Sequence, residues 1–251
     1  MTDYGLVISD FEPVTAWAAK SQGVSVLGIG HQYAFKYKIP RSGADPPAGL
    51  VMKFYAPADI GVGLHWHHFG QPVLPLIIEI PEVSKEAIKN KIIVHLLFED
   101  TRTVINHLSP FKNFEFHIYT PEVVPSEYDF IVCKPLSRDG FQQDIIDCAG
   151  IISNAGIELV REVLQMGKKI LAKPLHAQME QISNAAELQQ LGYGRVMNDI
   201  DYAVIDRWLF NAHTVQNYLS QHSKNLGRMA AGGDAQDDCR LCGKYLEYGE
   251  C

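Results

Sequence analysis

The sequence has no long hydrophobic run. No stretch reaches the ~18–20 apolar residues that cross a bilayer, so no membrane-spanning helix is expected. Residues 1–30 lack a basic start followed by an apolar stretch and a small-residue cleavage site, so no secretory signal is expected either. Both absences point to the cytoplasm. Positive charge is also short. Lys and Arg number 22 against 29 Asp and Glu, a formal net charge of −7. Nucleic-acid binders usually carry a basic face, so no nucleic-acid partner is expected. No internal repeat is found. Cysteine is scarce, with five in all. Cys133 and Cys148 sit in apolar surroundings and read as reduced core thiols. Cys239, Cys242 and Cys251 crowd the end of the chain, where a Cys-x-x-Cys pair plus a third thiol suggests an incomplete zinc site or a redox pair. No fourth ligand lies nearby, and the surrounding Gly, Ala and Asp residues read as a mobile tail without bound metal.

What remains is an ordinary globular composition, 47% apolar and 20% charged. A chain of 251 residues is long enough for one large domain or two small ones. Gly5–Ser9 reads as a strand, Pro13 to about Ser21 as a helix and Val24–Ile29 as a second strand, a βαβ unit that implies a parallel sheet. Residues 36–50 read as a loop, with a helix expected around Leu50–Ala58. His65, Trp66, His67 and His68 read as a polar, aromatic loop between lobes rather than a metal site. Pro72, Pro75 and Pro81 mark a linker.

A second α/β series starts at Lys91. Strands are expected at Ile92–Phe98, Phe114–Tyr119, Ile131–Lys134 and Gly150–Ser153. Helices are expected at Thr101–Leu108, Phe141–Cys148 (beside a Ser137–Gly140 loop), Ala203–His213 and Val215–Leu219. This alternation implies a doubly wound, Rossmann-like parallel sheet of the α/β class.

The most informative stretch is Ile151–Asp199. It reads strand, tight Ser153-Asn154-Ala155-Gly156 turn, helix from Ile157 to Met166, glycine stop, strand, polar loop, helix. Amides at a helix start bind anions, and small residues let a diphosphate approach the backbone. Ligands of such sheets bind beyond the carboxyl ends of the strands. Glu162 lies six residues beyond Gly156, within reach of a ribose diol. Glu180 and Gln181, read as lying in a loop before a helix, suit sugar hydroxyls. Phe141 and Gln142 offer a ring face and an amide to a base. His176 lies in the same loop region and could touch phosphate or sugar. His31 ends a strand facing the cleft and is the remaining polar candidate on the other lobe. Each residue alone reads as well as a solvated or packed side chain; the ordered set is what carries weight.

That ordered set resembles the donor-binding domain of GT-B glycosyltransferases, above all glycosyltransferase family 28 in a bacterial and archaeal branch. The resemblance covers roughly residues 90–200. Leu6–Asp10, Ala18-Ala19 and Gly28–Gln32 are similar to the last strand–helix–strand unit of the family's acceptor lobe. The resemblance implies a UDP-sugar donor, catalysis without a bound metal and no other cofactor. It implies that the amides of Asn154–Ile157 hold the diphosphate, that Glu162 binds the ribose, that Phe141 and Gln142 border the uracil, and that Glu180 and Gln181 contact the sugar. The implied organisation is a partial acceptor-side lobe and linker over 1–80, a donor domain over 90–225 and a tail over 226–251. The family's Gly-rich first loop and its histidine are absent, and roughly 80–100 residues of an ordinary α/β lobe are missing. The catalytic base is therefore not assigned. The acceptor is left open between a glycan, a lipid and a small molecule; a lipid acceptor would place the chain at the inner face of the membrane. Two alternatives stay open: a non-catalytic nucleotide-sugar-binding subunit that needs a partner chain, and a nucleotide-sugar epimerase, for which no acid/base pair can be placed. An unpaired edge on the first strand would also favour homodimerisation.

Overall fold

In the computed structural model, residues 4–42, 54–67, 69–71, 73–76 and 87–211 are described. The first lobe runs β1 (Leu6–Ser9), α1 (Pro13–Ser21), β2 (Ser25–Gly30), α2 (His31–Ala34), β3 (Ile60–His65) and β4 (Leu74–Pro75). Its four strands are parallel and ordered β1-β2-β3-β4. The second lobe runs β5 (Lys91–His95), α3 (Thr101–Leu108), β6 (Glu115–Thr120), β7 (Ile131–Pro135), α4 (Arg138–Asp147), β8 (Gly150–Ser153), α5 (Ile157–Gln165), β9 (Lys169–Ala172), α6 (Met179–Leu191), β10 (Arg195–Val196) and α7 (Tyr202–Phe210). Its six strands are ordered β10-β9-β8-β5-β6-β7, all parallel. The chain moves outward from β5 through β6 to β7, then returns to the other side of β5 for β8. That reversal is the place where a doubly wound sheet opens a crevice.

Local chemistry accounts for the helix starts. Pro13 opens α1, where its missing N–H costs nothing, and the Glu12 carboxylate accepts the amides of Val14 and Thr15. Asp100, Ser137 and Asp201 cap α3, α4 and α7. Gly192, in the left-handed region at φ 69°, ends α6. The central strands of the second sheet are buried on both faces, as a parallel sheet requires. Ile93 and Ile151 pack to one side, and Ile92, Val94 and Ile152 to the other. Each such side chain contributes roughly 1.5–3 kcal/mol on burial. Trp66, fully buried, and Leu76 join the first side's cluster and so tie the first lobe to the second.

Several expectations are corrected. The His65-Trp66-His67 segment is not a loop throughout: His65 ends β3 and is 1% exposed. The strand was obscured by its glycines, which are there for packing. A Cβ at Gly63 would lie 2.5 Å from Ala34 Cα, and at Gly28 2.3 Å from the Tyr33 ring, so these glycines let α2 lie flat on the sheet. Pro75 pairs with His65 in β4, so the first sheet extends into the proposed linker. The strand from Ile92 stops at His95 rather than Phe98. Arg138, Asp139 and Gly140 form the first turn of α4, because the Ser137 hydroxyl caps the Gly140 amide. Glu180 and Gln181 lie in the first turn of α6, not in a loop before it. His68, Pro72, Pro81, the segment Val215–Leu219 and the three C-terminal cysteines lie outside the described residues, as do residues 50–53 of the helix expected over Leu50–Ala58.

The first sheet is covered unevenly. Val7, Val26, Gly28 and Gly63 face α1 and α2. The opposite face carries Leu6, Ile8, Ile60 and Leu74, which are 52%, 63%, 38% and 37% exposed, with half-buried Leu27, Ile29 and Val62 between them. An apolar face this open is unusual for a parallel sheet.

Candidate functional site

At the carboxyl ends of β5, β6 and β7 lies a cavity of about 550 Å³, lined by His95, Tyr119, Leu136, Ser137, Arg138, Phe141, Gln142, Glu158 and Glu162. Phe141 and Gln142 come from the first turns of α4. Glu158 and Glu162 are one turn apart on α5 and share a face. The Phe141 ring stands edge-on to Tyr119 at 5.1 Å and tilted to His95 at 5.1 Å. Three residues picked from sequence, Phe141, Gln142 and Glu162, thus meet in one cavity. Burial raises the Glu162 carboxyl, Glu158 raises it further, and Arg138 opposes both.

Beside the cavity, α5 begins at Gly156 with no side-chain cap. Its first amides are left without intrahelical partners and carry the positive end of the helix dipole. A Cβ at Gly156 would meet nothing within 4 Å, so the approach to these amides is open. The rest of the turn is stitched into the sheet. The Ser153 hydroxyl donates to the Asn154 carbonyl. Asn154 donates from its side chain to the Lys173 carbonyl and from its backbone to the His95 carbonyl. Ala155 is fully buried and Ile157 is 7% exposed. The turn therefore offers a ligand chiefly its backbone groups, with half-buried Asn154 beside them.

Behind the cavity, Asp144 accepts hydrogen bonds from Lys91, Lys134, His117 and Tyr119 at 2.7–2.9 Å. Burial pushes this carboxyl up, but Lys134, Lys91, His117 and Tyr119 outweigh burial and hold it well below the usual carboxylate range. The hub fixes the Tyr119 wall.

Other sequence candidates fall elsewhere. Gln181 turns back to accept the Leu175 amide at 3.0 Å. Glu180 is half-buried; burial raises its carboxyl, against a hydrogen bond from Gln32 of the first lobe. His176 is outside the cavity, its side chain 73% exposed and 3.5 Å from Asp199. His31 does not face an open cleft. It opens α2, 5% exposed, with Nδ1 3.0 Å from the Leu64 carbonyl and Nε2 3.2 Å from Asn184 Oδ1. Both nitrogens face partners between the lobes, at Leu64 and Asn184, so neither points into the cavity where an acceptor hydroxyl would lie. Sequence reasoning missed His95 and Glu158. His95 lines the cavity with its Nδ1 buried and unpartnered, and burial holds the ring neutral by lowering its pKa. Its position at the end of a buried apolar strand was the available signal. Among the described residues no His, Cys, Asp and Glu cluster has metal-ligand geometry.

The model of glycosyl transferase family 1 matches residues 72–212, more than half of the chain. The chain belongs to this family of glycosyltransferases. No curated protein matches it. Solved structures do. SnogD from Streptomyces nogalater is 15% identical with a TM-score of 0.55, the match covering 86% of this chain and 67% of that one. SsfS6 from Streptomyces sp. SF2575, complexed with thymidine diphosphate, is 13% identical with a TM-score of 0.55, covering 85% and 63%. A variant of Os79 from O. sativa in complex with UDP is 12% identical with a TM-score of 0.57, covering 98% and 78%. At such identities the likeness carries the fold, and that fold is GT-B. The family that matches is family 1; the narrower likeness to family 28 is not among these findings. The glycosyltransferase spans about two thirds to three quarters of the length of these three structures. None of its described helices is long and apolar enough to cross a membrane.

Proposed function

We propose that this glycosyltransferase binds a UDP-sugar in the second lobe and transfers the sugar to an acceptor hydroxyl. The supporting observation is convergence: Phe141, Gln142 and Glu162, distant in sequence, line one cavity beside the uncapped start of α5. In this proposal Phe141 packs on the uracil, the Gln142 amide reads its edge, Glu162 holds the ribose diol and His95 offers a further polar contact. The amides from Gly156 onward face the diphosphate. Glu180, next to Gln32, lies toward the sugar.

The acceptor oxygen attacks the anomeric carbon as the bond from that carbon to the β-phosphate oxygen breaks. The bonding pair leaves with UDP, and the acceptor proton passes to a base not assigned among these residues. Charge developing on the leaving diphosphate is stabilised by preorganised amides, the role a metal plays in other transferases. The acceptor, whether glycan, lipid or small molecule, is not distinguished by these residues; a lipid acceptor would draw the enzyme to the cytoplasmic face of the membrane. Calorimetric titration with UDP, with thymidine diphosphate as competitor and Glu162→Ala as control, tests the donor assignment.

A second reading is favoured by the open apolar face of the first sheet and by the outer edge of β1, which no strand pairs among the described residues. In it the chain is a donor-binding subunit completed by a second polypeptide or by a second copy of itself. Replacing Leu6 and Ile8 with lysine is then expected to abolish association seen in solution scattering. A wild-type chain that stays monomeric at high concentration and turns over donor alone argues against it.

A further inference from the structure

His31 of the first lobe and Asn184, midway along α6 in the second, form a chain that ends at the turn before α5. His31 Nδ1 faces the Leu64 carbonyl at 3.0 Å and Nε2 faces Asn184 Oδ1 at 3.2 Å. Asn184 Nδ2 donates to the Ala155 carbonyl at 2.9 Å. Asn184 and Ala155 are fully buried, so their polar atoms depend on these partners.

The protons do not balance when the ring is neutral. A neutral imidazole carries one N–H. Placed on Nδ1, it satisfies Leu64 and leaves Nε2 against Asn184 Oδ1, acceptor facing acceptor. Placed on Nε2, it satisfies Asn184 and leaves Nδ1 against the Leu64 carbonyl. Turning the Asn184 amide over gives Nε2 a donor but sets Oδ1 against the Ala155 carbonyl. Every neutral arrangement keeps one repulsive contact. An imidazolium donates from both nitrogens and satisfies all three acceptors.

The far end of the chain matters because the Ala155 carbonyl shares its peptide plane with the Gly156 N–H. In a planar trans peptide the two point in opposite directions. A carbonyl held by Asn184 therefore turns the Gly156 N–H away from α6, at the open start of α5.

We propose that donor binding and a second proton on His31 are linked: the proton fixes the Asn184 amide, Asn184 fixes the Ala155–Gly156 peptide, and that peptide presents its N–H to the diphosphate. This rests on the UDP-sugar assignment. His31 and Asn184 are positioning residues, and neither touches the donor.

The protein's own groups oppose the proton. Burial, and then His65 with its ring centroid 5.2 Å away, lower His31 to about 4. Among the described residues, the elements packed near His31 also carry Glu180 and Glu187 on α6, Asp10 beside Gly30, and Lys36 just after α2. Burial raises both glutamates, which reduces the negative charge they offer. A diphosphate beside Ala155 supplies it instead and favours the charged ring. By reciprocity, falling pH tightens binding.

Calorimetric titration of the whole chain with UDP, between about pH 5 and pH 7.5 and in buffers of contrasting ionisation enthalpy, reads the linkage directly. His31→Gln and Asn184→Leu are titrated in parallel; the phosphate of UDP titrates alike in all three, so differences report on His31. Wild type is expected to take up more proton than either variant. Its affinity relative to His31→Gln is expected to grow about threefold or more toward the acid end. Equal proton uptake by chains that all bind UDP overturns the proposal and leaves the donor assignment standing. Failure of wild type to bind UDP overturns both. Should the variants not fold, the ring nitrogen NMR shifts of wild-type His31 decide: a move toward imidazolium values on adding UDP supports the linkage, and unchanged shifts overturn it.

Discussion

His65 Nε2 and Glu187 Oε2 stand 2.7 Å apart across the two lobes, with both side chains fully buried. The approach is out of line, so neither atom completes a hydrogen bond there. His65 Nδ1 accepts the His67 amide at 3.1 Å, which leaves the ring's single proton on Nε2. Burial lowers His65 to about 4 and raises Glu187 to about 8, so both groups are neutral near pH 7.

A pH profile of stability follows. His31 and His65, at about 4 in the folded chain, bind protons more readily when unfolded, so stability rises with pH from about 4 to 6.5. Glu187, at about 8 when folded, holds its proton longer in the native state, so it removes stability between about 4.5 and 8. With two histidines against one glutamate, the melting temperature is expected to peak near pH 6.5. The alkaline side should lose on the order of 1–2 kcal/mol by pH 8. Thermal unfolding from pH 4 to 9 checks this, and Glu187→Gln should flatten the alkaline limb and steepen the acid one.

Glu158 lies in the first turn of α5 and lines the cavity. Its charge complements the helix dipole but repels an anion seated there. Glu158→Gln is expected to tighten UDP binding severalfold at low salt and to raise the chain's stability little or not at all. Titrations at two ionic strengths check it, because the gain should shrink as salt screens the charge.

Asp144 anchors Tyr119 and two lysines from three strands. Asp144→Ala leaves buried Lys91 with Asp147 as its remaining carboxylate partner and frees the Tyr119 wall. A loss of about 3 kcal/mol or more is expected in denaturant unfolding. Binding of UDP should weaken in the same variant even under conditions where it remains folded.

The second lobe was largely legible in the sequence because its strands are short apolar runs bounded by caps and glycines. Thr101–Leu108 and Gly150–Ser153 match the expected bounds. β3 was not legible. Its glycines serve the approach of α2, a tertiary demand that erases the local strand signal. Three of the cavity's residues were legible: Glu162 from its distance beyond Gly156, and Phe141 and Gln142 from their ring face and amide. His95 and Glu158 were not, since a histidine at the end of an apolar strand and a glutamate in a first helical turn both have ordinary local explanations. His31 was noticed for its chemistry but misplaced, because its partners Leu64 and Asn184 lie 33 and 153 residues away in sequence.

The donor assignment requires that the cavity beside α5 hold a uridine diphosphate. Titration calorimetry of the intact chain with UDP tests it most directly. One-site binding is expected, weakened about tenfold or more by Glu162→Ala through loss of hydrogen bonds to the ribose. No binding heat at millimolar UDP, or an affinity that Glu162→Ala leaves unchanged, would contradict it.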